Sequence, residues 1–372
     1  MMLVLFCAVR AVPRHQGTAW RNKLLTNFAP EASQEYVANM SQRHAALPPL
    51  PPFAAQYLNL VELSLTGTLM PPDARSECHP DKPLHLPPGR EVGENAGTCF
   101  AVNTDPFNAN RRLIGRDWPT HSMTMVGHAR LRNVRHCLES AFASGVPGDF
   151  VELGVWRGGA SIYARAVLNV LLGEDTPSTL RRVRLFDAFG LIEGYGAASE
   201  FLAVSLPAVK ANVATYGFNE GVEYHMGLFN ESLPRFYEDH KNNPHQKVSV
   251  LRIDGNFAES YHDALYYMWD FVPVGGFVIF DDFSAENTQR NSNAGQLHRC
   301  WLDFRRAHGL TEKLLTIDWS SSFFRKTTNV KVDWNAHKVD KERLQARESK
   351  KVAGAVVARR GRRGAARSGM AA

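Results

Sequence analysis

From Asp149 onward, short apolar runs rich in β-branched and aromatic residues alternate with longer stretches of apolar positions at helical spacing. The pattern predicts strands over Phe150–Leu153, Arg184–Phe186, Glu223–His225, Val248–Ile253 and Gly276–Phe280. It predicts helices over Ala160–Leu172, Pro207–Tyr216 and Tyr261–Phe271 between them. Such β-α-β-α alternation implies a mostly parallel sheet covered on both faces. Two further runs, Leu314–Asp318 and Ser322–Lys326, read as edge strands. Upstream, Leu58, Val61 and Leu65 share one helical face in a segment from Ala55 that ends at Gly67. Leu131, Val134, Leu138 and Phe142 do the same over Arg130–Ser144. Four prolines in residues 43–53 mark a linker, and residues 71–97 read as an irregular loop. The expected organisation is a leader and linker (1–54), a helical region (55–145), an α/β core (146–330) and a basic, unstructured tail (331–372).

Charge sharpens this division. The formal net charge is +6 over 372 residues. Residues 338–372 hold eleven basic against three acidic side chains, and residues 1–30 hold four basic and none acidic. The middle of the chain is therefore mildly acidic, which argues against a nucleic-acid-binding core. Beyond Trp334 the composition turns to Lys/Arg/Ala/Gly, and the low-complexity RRGRRGAARSG has no means to build a core. No apolar run reaches the ~20 residues of a membrane span. Residues 1–30, with Arg, Ser/Thr and no acid, read either as an organellar transit peptide or as an unstructured start, and the expected location is otherwise cytoplasmic. The five cysteines are widely spaced with no CxxC, so neither a zinc nor a disulfide framework is expected. Cys137 and Cys300 read as helical core residues, and Cys78-His79 as part of a loop.

Ligands of a parallel sheet bind beyond the carboxyl ends of its strands. The first strand runs through Glu152-Leu-Gly154-Val155-Trp156-Arg-Gly158-Gly159 into a helix, a turn that lets backbone approach a ligand closely but is not a dinucleotide fingerprint. The second ends at Asp187, placed either to accept ribose hydroxyls or to cap a helix. Asp254 ends a later strand, and Asp281 and Asp282 end the next. Converging carboxylates repel unless protonated or bridged by a cation, and hard oxygen donors suit Mg²⁺ or Mn²⁺.

Several stretches, in order, resemble the macrocin O-methyltransferase (TylF-type) family: YLNLVELSLTGTL (57–69), GRDWPTHSMTMVGHARL (115–131), PGDFVELGVWRGGASI (147–162), LFDAFGL (185–191), GLFNESLP (227–234), LRIDGNFAES (251–260), PVGGFVIFDDF (273–283) and TIDWSSSFFRK (316–326). The resemblance implies a class I methyltransferase fold (a Rossmann-like, mostly parallel α/β sheet with an N-terminal helical lid), S-adenosylmethionine as cofactor, and a small-molecule hydroxyl acceptor on a sugar or natural product. It implies metal ligation by Asp254, Asp281 and Asp282. It places the cofactor at Thr124, Glu152, Gly154, Val155, Trp156, Asp187, Ala188, Gly227 and Leu228. A homo-oligomer is compatible with it. Trp118 and Trp156 are expected either to line the pocket or to pack in the core.

The chain departs from the family where D-x-D becomes Asp254-Gly255-Asn256, because an amide accepts no proton at neutral pH. Ala188 also replaces a serine. The catalytic group is therefore drawn from Asp254, Asn256, Glu259 and His262, with His225 as a further candidate base. The alternative is a cofactor-binding homologue of little activity that serves as a binding protein. An interaction module using the basic tail, or a metal-dependent hydrolase, are readings from other classes.

Overall fold

A computed structural model describes residues 47, 49–69, 77–78, 102–103, 109–117, 122–192, 199–283 and 293–347. Its centre is a seven-stranded sheet of β1 (Asp149–Leu153), β2 (Val183–Asp187), β3 (Val222–Met226), β4 (Val248–Ile253), β5 (Phe277–Phe280), β6 (Leu315–Thr316) and β7 (Ser322–Arg325). Their spatial order is β3-β2-β1-β4-β5-β7-β6. The first five are parallel and β7 joins β5 antiparallel, so the sheet is mostly parallel, as the alternation predicts. A separate two-residue pair joins Glu77–Cys78, within the stretch 71–97 that the composition reads as loop, to Val102–Asn103 beyond it.

Helices cover both faces because the central strands are buried on both sides, β1, β4 and β5 along their whole length. One face carries α1 (Pro52–Leu65), α3 (His128–Ala143) and α4 (Gly159–Leu172), with the short α2 (Ala109–Leu113) beside α3. Leu58, Leu65, Leu131, Leu138 and Val167 there pack with Phe150, Val250 and Ile279 of the sheet. Each such fully buried side chain contributes about 1.5–3 kcal/mol. Between β2 and β3 lie α5 (Ser199–Leu202) and α6 (Leu206–Thr215). The opposite face carries α7 (Phe229–His240), α8 (Ala258–Met268) and α9 (Asn293–Ala307), packed on Val151, Leu153, Phe186, Leu251 and Phe280.

Two findings correct the pattern reading. Helix α7 is absent from it, because Pro234 lies inside the helix and its exposed face is polar. Residues 334–347 are helical (α10), inside the stretch assigned to an unstructured tail. Val332 and Leu344 are buried in the core around α8, and Trp334 and Ala336 pack on it, so enough apolar surface precedes the Arg/Gly-rich end to order this segment. Cys137 and Cys300 are buried, unbridged core residues of α3 and α9, as expected. Trp118, Cys7, Cys99 and residues beyond 347 lie outside the described residues.

Candidate active site

The parallel register lines up the strand ends. Leu153 pairs with Phe186 and Ile253, and Ile253 with Phe280. The ladder continues one step further through Gly154 N–H to Phe186 O (2.9 Å), Asp254 N–H to Leu153 O (2.8 Å) and Asp281 N–H to Ile253 O (2.9 Å). Gly154, Asp254 and Asp281 thus stand in one row at the carboxyl edge.

The β1–β2–β3 side of that edge is built from backbone. Gly154 has φ +95°, and a Cβ there would collide with the Asp254 carbonyl. Only glycine adopts that conformation readily. Trp156 follows in the left-handed region at φ +50°, unusual for a bulky residue and a mark of a constrained turn. Asp187 braces this turn: its Oδ2 accepts from the N–H groups of Val155 (2.7 Å) and Trp156 (3.4 Å), and its Oδ1 from Phe189 (2.9 Å). Burial pushes the Asp187 pKa up, against the pull of those amides. Ala188 is half-buried beside it. The Gly227 N–H donates to the Asp187 carbonyl (3.0 Å), and Leu228, 43% exposed, follows. Thr124 belongs to a stretch clamped on α4, where the Gly159 N–H donates to Met123 O (2.9 Å) and a Cβ on Gly159 would lie 2.7 Å from the Thr124 Cβ. The structure therefore gathers these predicted cofactor residues on one side. Trp156 packs on Phe201, with its indole N–H donating to Phe201 O (3.0 Å).

Glu152 sits lower, 1% exposed, where its carboxylate accepts from Arg252 and from the Ser161 hydroxyl. Burial raises its pKa, and Arg252 and Ser161 pull it back.

The β4–β5 side is built from charged side chains. Glu152 and Arg252 are register partners, and Asp254 and Asp281 fall on the same face by strand alternation. Arg252, 2% exposed, donates to Glu152, to Asp254 (2.8 Å) and to Asp281. From α3, Arg130 reaches Asp281 (3.3 Å) and Asp318 (2.7 Å), and donates to the Ser320 hydroxyl. The Ser321 hydroxyl also donates to Asp281. Asp282 takes a left-handed φ of +52°, which aspartate tolerates better than most residues. Burial, then the charges of Asp254 and Asp318, push the Asp282 pKa up to about 6, while Arg130 and Arg252 oppose them. Five carboxylates thus meet two guanidiniums, an excess of negative charge that a cation would neutralise.

The three predicted metal ligands are not equivalent. Asp281 is fully buried, and both its oxygens are taken by Arg130, Arg252 and Ser321. Among the described residues, the three aspartates do not gather at the mutual spacing of a closed three-ligand site. Asp254 and Asp282 fit a cation better, since the Asp254 charge raises the cost of ionising the buried Asp282. Mg²⁺ commonly binds through one or two carboxylates and keeps several waters.

The candidate bases separate sharply. Asn256 is half-buried two residues after Asp254, and Glu259 is exposed on the first turn of α8. His262 does not come to the strand ends: it is buried in the α8–α10 contact, with Nδ1 3.3 Å from Asp263 and Nε2 3.3 Å from His337 O. His225 lies on the sheet face opposite Arg252, its ring stacked on Phe186 at 4.2 Å, and burial first, then Arg184, lowers its pKa to about 4. Arg130, Arg252, Asp318 and Trp319 were not singled out from sequence. The available signal was an arginine inside the apolar run VSVLRI, since a buried charge needs a partner. Trp319 stays 44% exposed beside Asp318, with Arg116 4.7 Å and Arg130 5.8 Å from its ring.

The Macrocin-O-methyltransferase (TylF) family pattern matches residues 54–326. The 8-demethyl-8-(2,3-dimethoxy-alpha-L-rhamnosyl)-tetracenomycin-C 4'-O-methyltransferase of Streptomyces olivaceus is 36% identical over 242 residues, 61% of this chain and 84% of that protein. Demethyldecarbamoylnovobiocin O-methyltransferase of Streptomyces niveus is 33% identical over 242 residues, 61% of this chain and 85% of its own. The solved structure of the O-methyltransferase NovP superposes with a TM-score of 0.56 at 28% identity, covering 74% of this chain and 100% of that one.

Proposed function

Because the chain belongs to the macrocin O-methyltransferase family, we propose that it transfers the methyl group of S-adenosylmethionine to a hydroxyl of a sugar or sugar-bearing natural product. The observation that carries this reading is one sheet edge with a glycine turn braced by Asp187 on one side and the Asp254–Asp282 pair on the other. Relatives named for methylation of sugar-bearing natural products support the acceptor class.

Methyl transfer is an in-line displacement: the sulfur–carbon bond breaks as the oxygen–carbon bond forms, and the hydroxyl proton leaves. Alignment is the main task. In this reading the backbone from Gly154 to Trp156 lies along the cofactor, and Asp187 and Ala188 meet its ribose end. Gly227 and Leu228 border the adenine, and Thr124 closes over the turn. Glu152 acts from below, by fixing Arg252. Asp254 and Asp282 would hold a divalent cation such as Mg²⁺ or Mn²⁺, with Asp281 anchoring Arg130 and Arg252 around them. When bound, that ion lowers the pKa of the acceptor hydroxyl. The Trp319 ring offers an apolar face to a sugar.

Asn256 orients by hydrogen bonding but takes no proton. With His262 buried in the α8–α10 contact and His225 half-buried on the opposite sheet face, Glu259 is the remaining candidate for the proton acceptor. A second reading, an impaired cofactor-binding homologue, is favoured by Asn256 itself. The deciding experiment offers radiolabelled S-adenosylmethionine and a panel of deoxysugar-bearing acceptors to the wild type, Glu259→Gln and Asn256→Asp. Label transfer by the wild type, reduced at least tenfold in Glu259→Gln, supports the active reading. Transfer that appears only in Asn256→Asp supports the impaired one. Transfer by none, with no cofactor binding, overturns both.

A further inference from the structure

On the sheet face opposite the carboxylate network, α8 and α10 bring together His262, Asp263 and His337. A ring nitrogen from each histidine and a carboxylate oxygen from Asp263 all lie within 4.8 Å of one another. We propose that these three residues form a second metal site, for a transition-metal dication such as Zn²⁺, which staples α10 to the catalytic domain.

The placement of the three side chains suits ligation. His337 is 9% exposed, and its Nε2 is buried without a hydrogen-bond partner. A buried polar atom left unpaired is costly, and coordination would recover that cost. Both hydrogen bonds of His262 are long, 3.3 Å to Asp263 and 3.3 Å to the His337 carbonyl. Asp263, itself buried, supplies the negative charge that a dication needs. Two imidazoles and a carboxylate suit Zn²⁺ and its neighbours, unlike the all-oxygen set at the strand ends. Tyr266, Tyr267 and Trp334 surround His337 with ring centroids 4.9–5.6 Å away, a largely apolar shell that limits water. His337 also lies beyond residue 326, where the family match ends, so the site joins the shared domain to a segment outside it.

The test is titration of Zn²⁺ into the full-length protein in excess Mg²⁺, which occupies the oxygen site. The expected result is one Zn²⁺ per chain, with affinity reduced at least tenfold in His337→Gln and retained in Asp282→Asn. X-ray absorption on the unmutated, Zn²⁺-loaded protein is independent of whether the variants fold. It should show imidazole nitrogen and carboxylate oxygen at about 2.0–2.2 Å. Absence of stoichiometric Zn²⁺ binding, a shell of sulfur or of oxygen alone, or a folded His337→Gln of unchanged affinity would overturn the proposal.

Discussion

The two halves of the ligand edge are built by different means. On the β1–β2 side the working surface is backbone: a positive-φ glycine, an αL tryptophan, and amides drawn together by Asp187. On the β4–β5 side it is side chains, with Arg252 and Arg130 holding four of the five carboxylates of the cluster. A backbone site is sensitive to added bulk and indifferent to much side-chain chemistry. A charge network is the reverse: each member is fixed by the others, and removing one strands its partners. In the proposed function this contrast would match two tasks, holding a cofactor in one pose and changing the protonation of an acceptor hydroxyl.

The sharpest way to break the comparison is Arg252→Met. It strands Glu152 and Asp281 in the interior, and the loss of one partner from a buried ion pair costs about 3–5 kcal/mol. Urea denaturation should show that loss, whereas a merely solvated arginine would show almost none. Gly154→Ala comes next. Its Cβ would meet the Asp254 backbone, an overpacking cost of about 1–3 kcal/mol, together with loss of S-adenosylmethionine binding in calorimetry. Trp319→Ala should leave the cofactor Kd unchanged and raise the acceptor KM, by about 0.5–1.5 kcal/mol of lost ring contact. The smallest effect concerns pH. His225 is neutral in the folded chain with its pKa lowered to about 4, so the unfolded chain binds more protons between pH 4 and 6.5. Stability therefore falls as pH drops through that window, by about 1 kcal/mol after discounting for partial exposure. His225→Phe should flatten this slope in denaturation curves measured at pH 4.5 and 7.

The sheet was legible because parallel strands buried on both faces read as apolar runs, and the boundaries of β4 matched residue for residue. Helix α10 was not, because its few anchors, Val332, Trp334 and Leu344, are diluted among charges. At the site, the acidic strand ends were legible because they follow apolar runs directly. Their arginine partners were not, since Arg130 and Asp318 are 188 residues apart and meet only through the fold. His262 shows the same limit from the other direction. The sequence offers it as a candidate base, but helical phase turns its ring toward α10.

The account rests on the independence of the two halves. The direct measurement is calorimetric titration of S-adenosylmethionine, then of Mg²⁺, into the wild type and an Asp254→Asn/Asp282→Asn double variant. The account predicts a cofactor Kd within about threefold between the two proteins, with Mg²⁺ binding abolished in the variant. Loss of cofactor affinity together with Mg²⁺ binding, or no cofactor binding by the wild type, would contradict it.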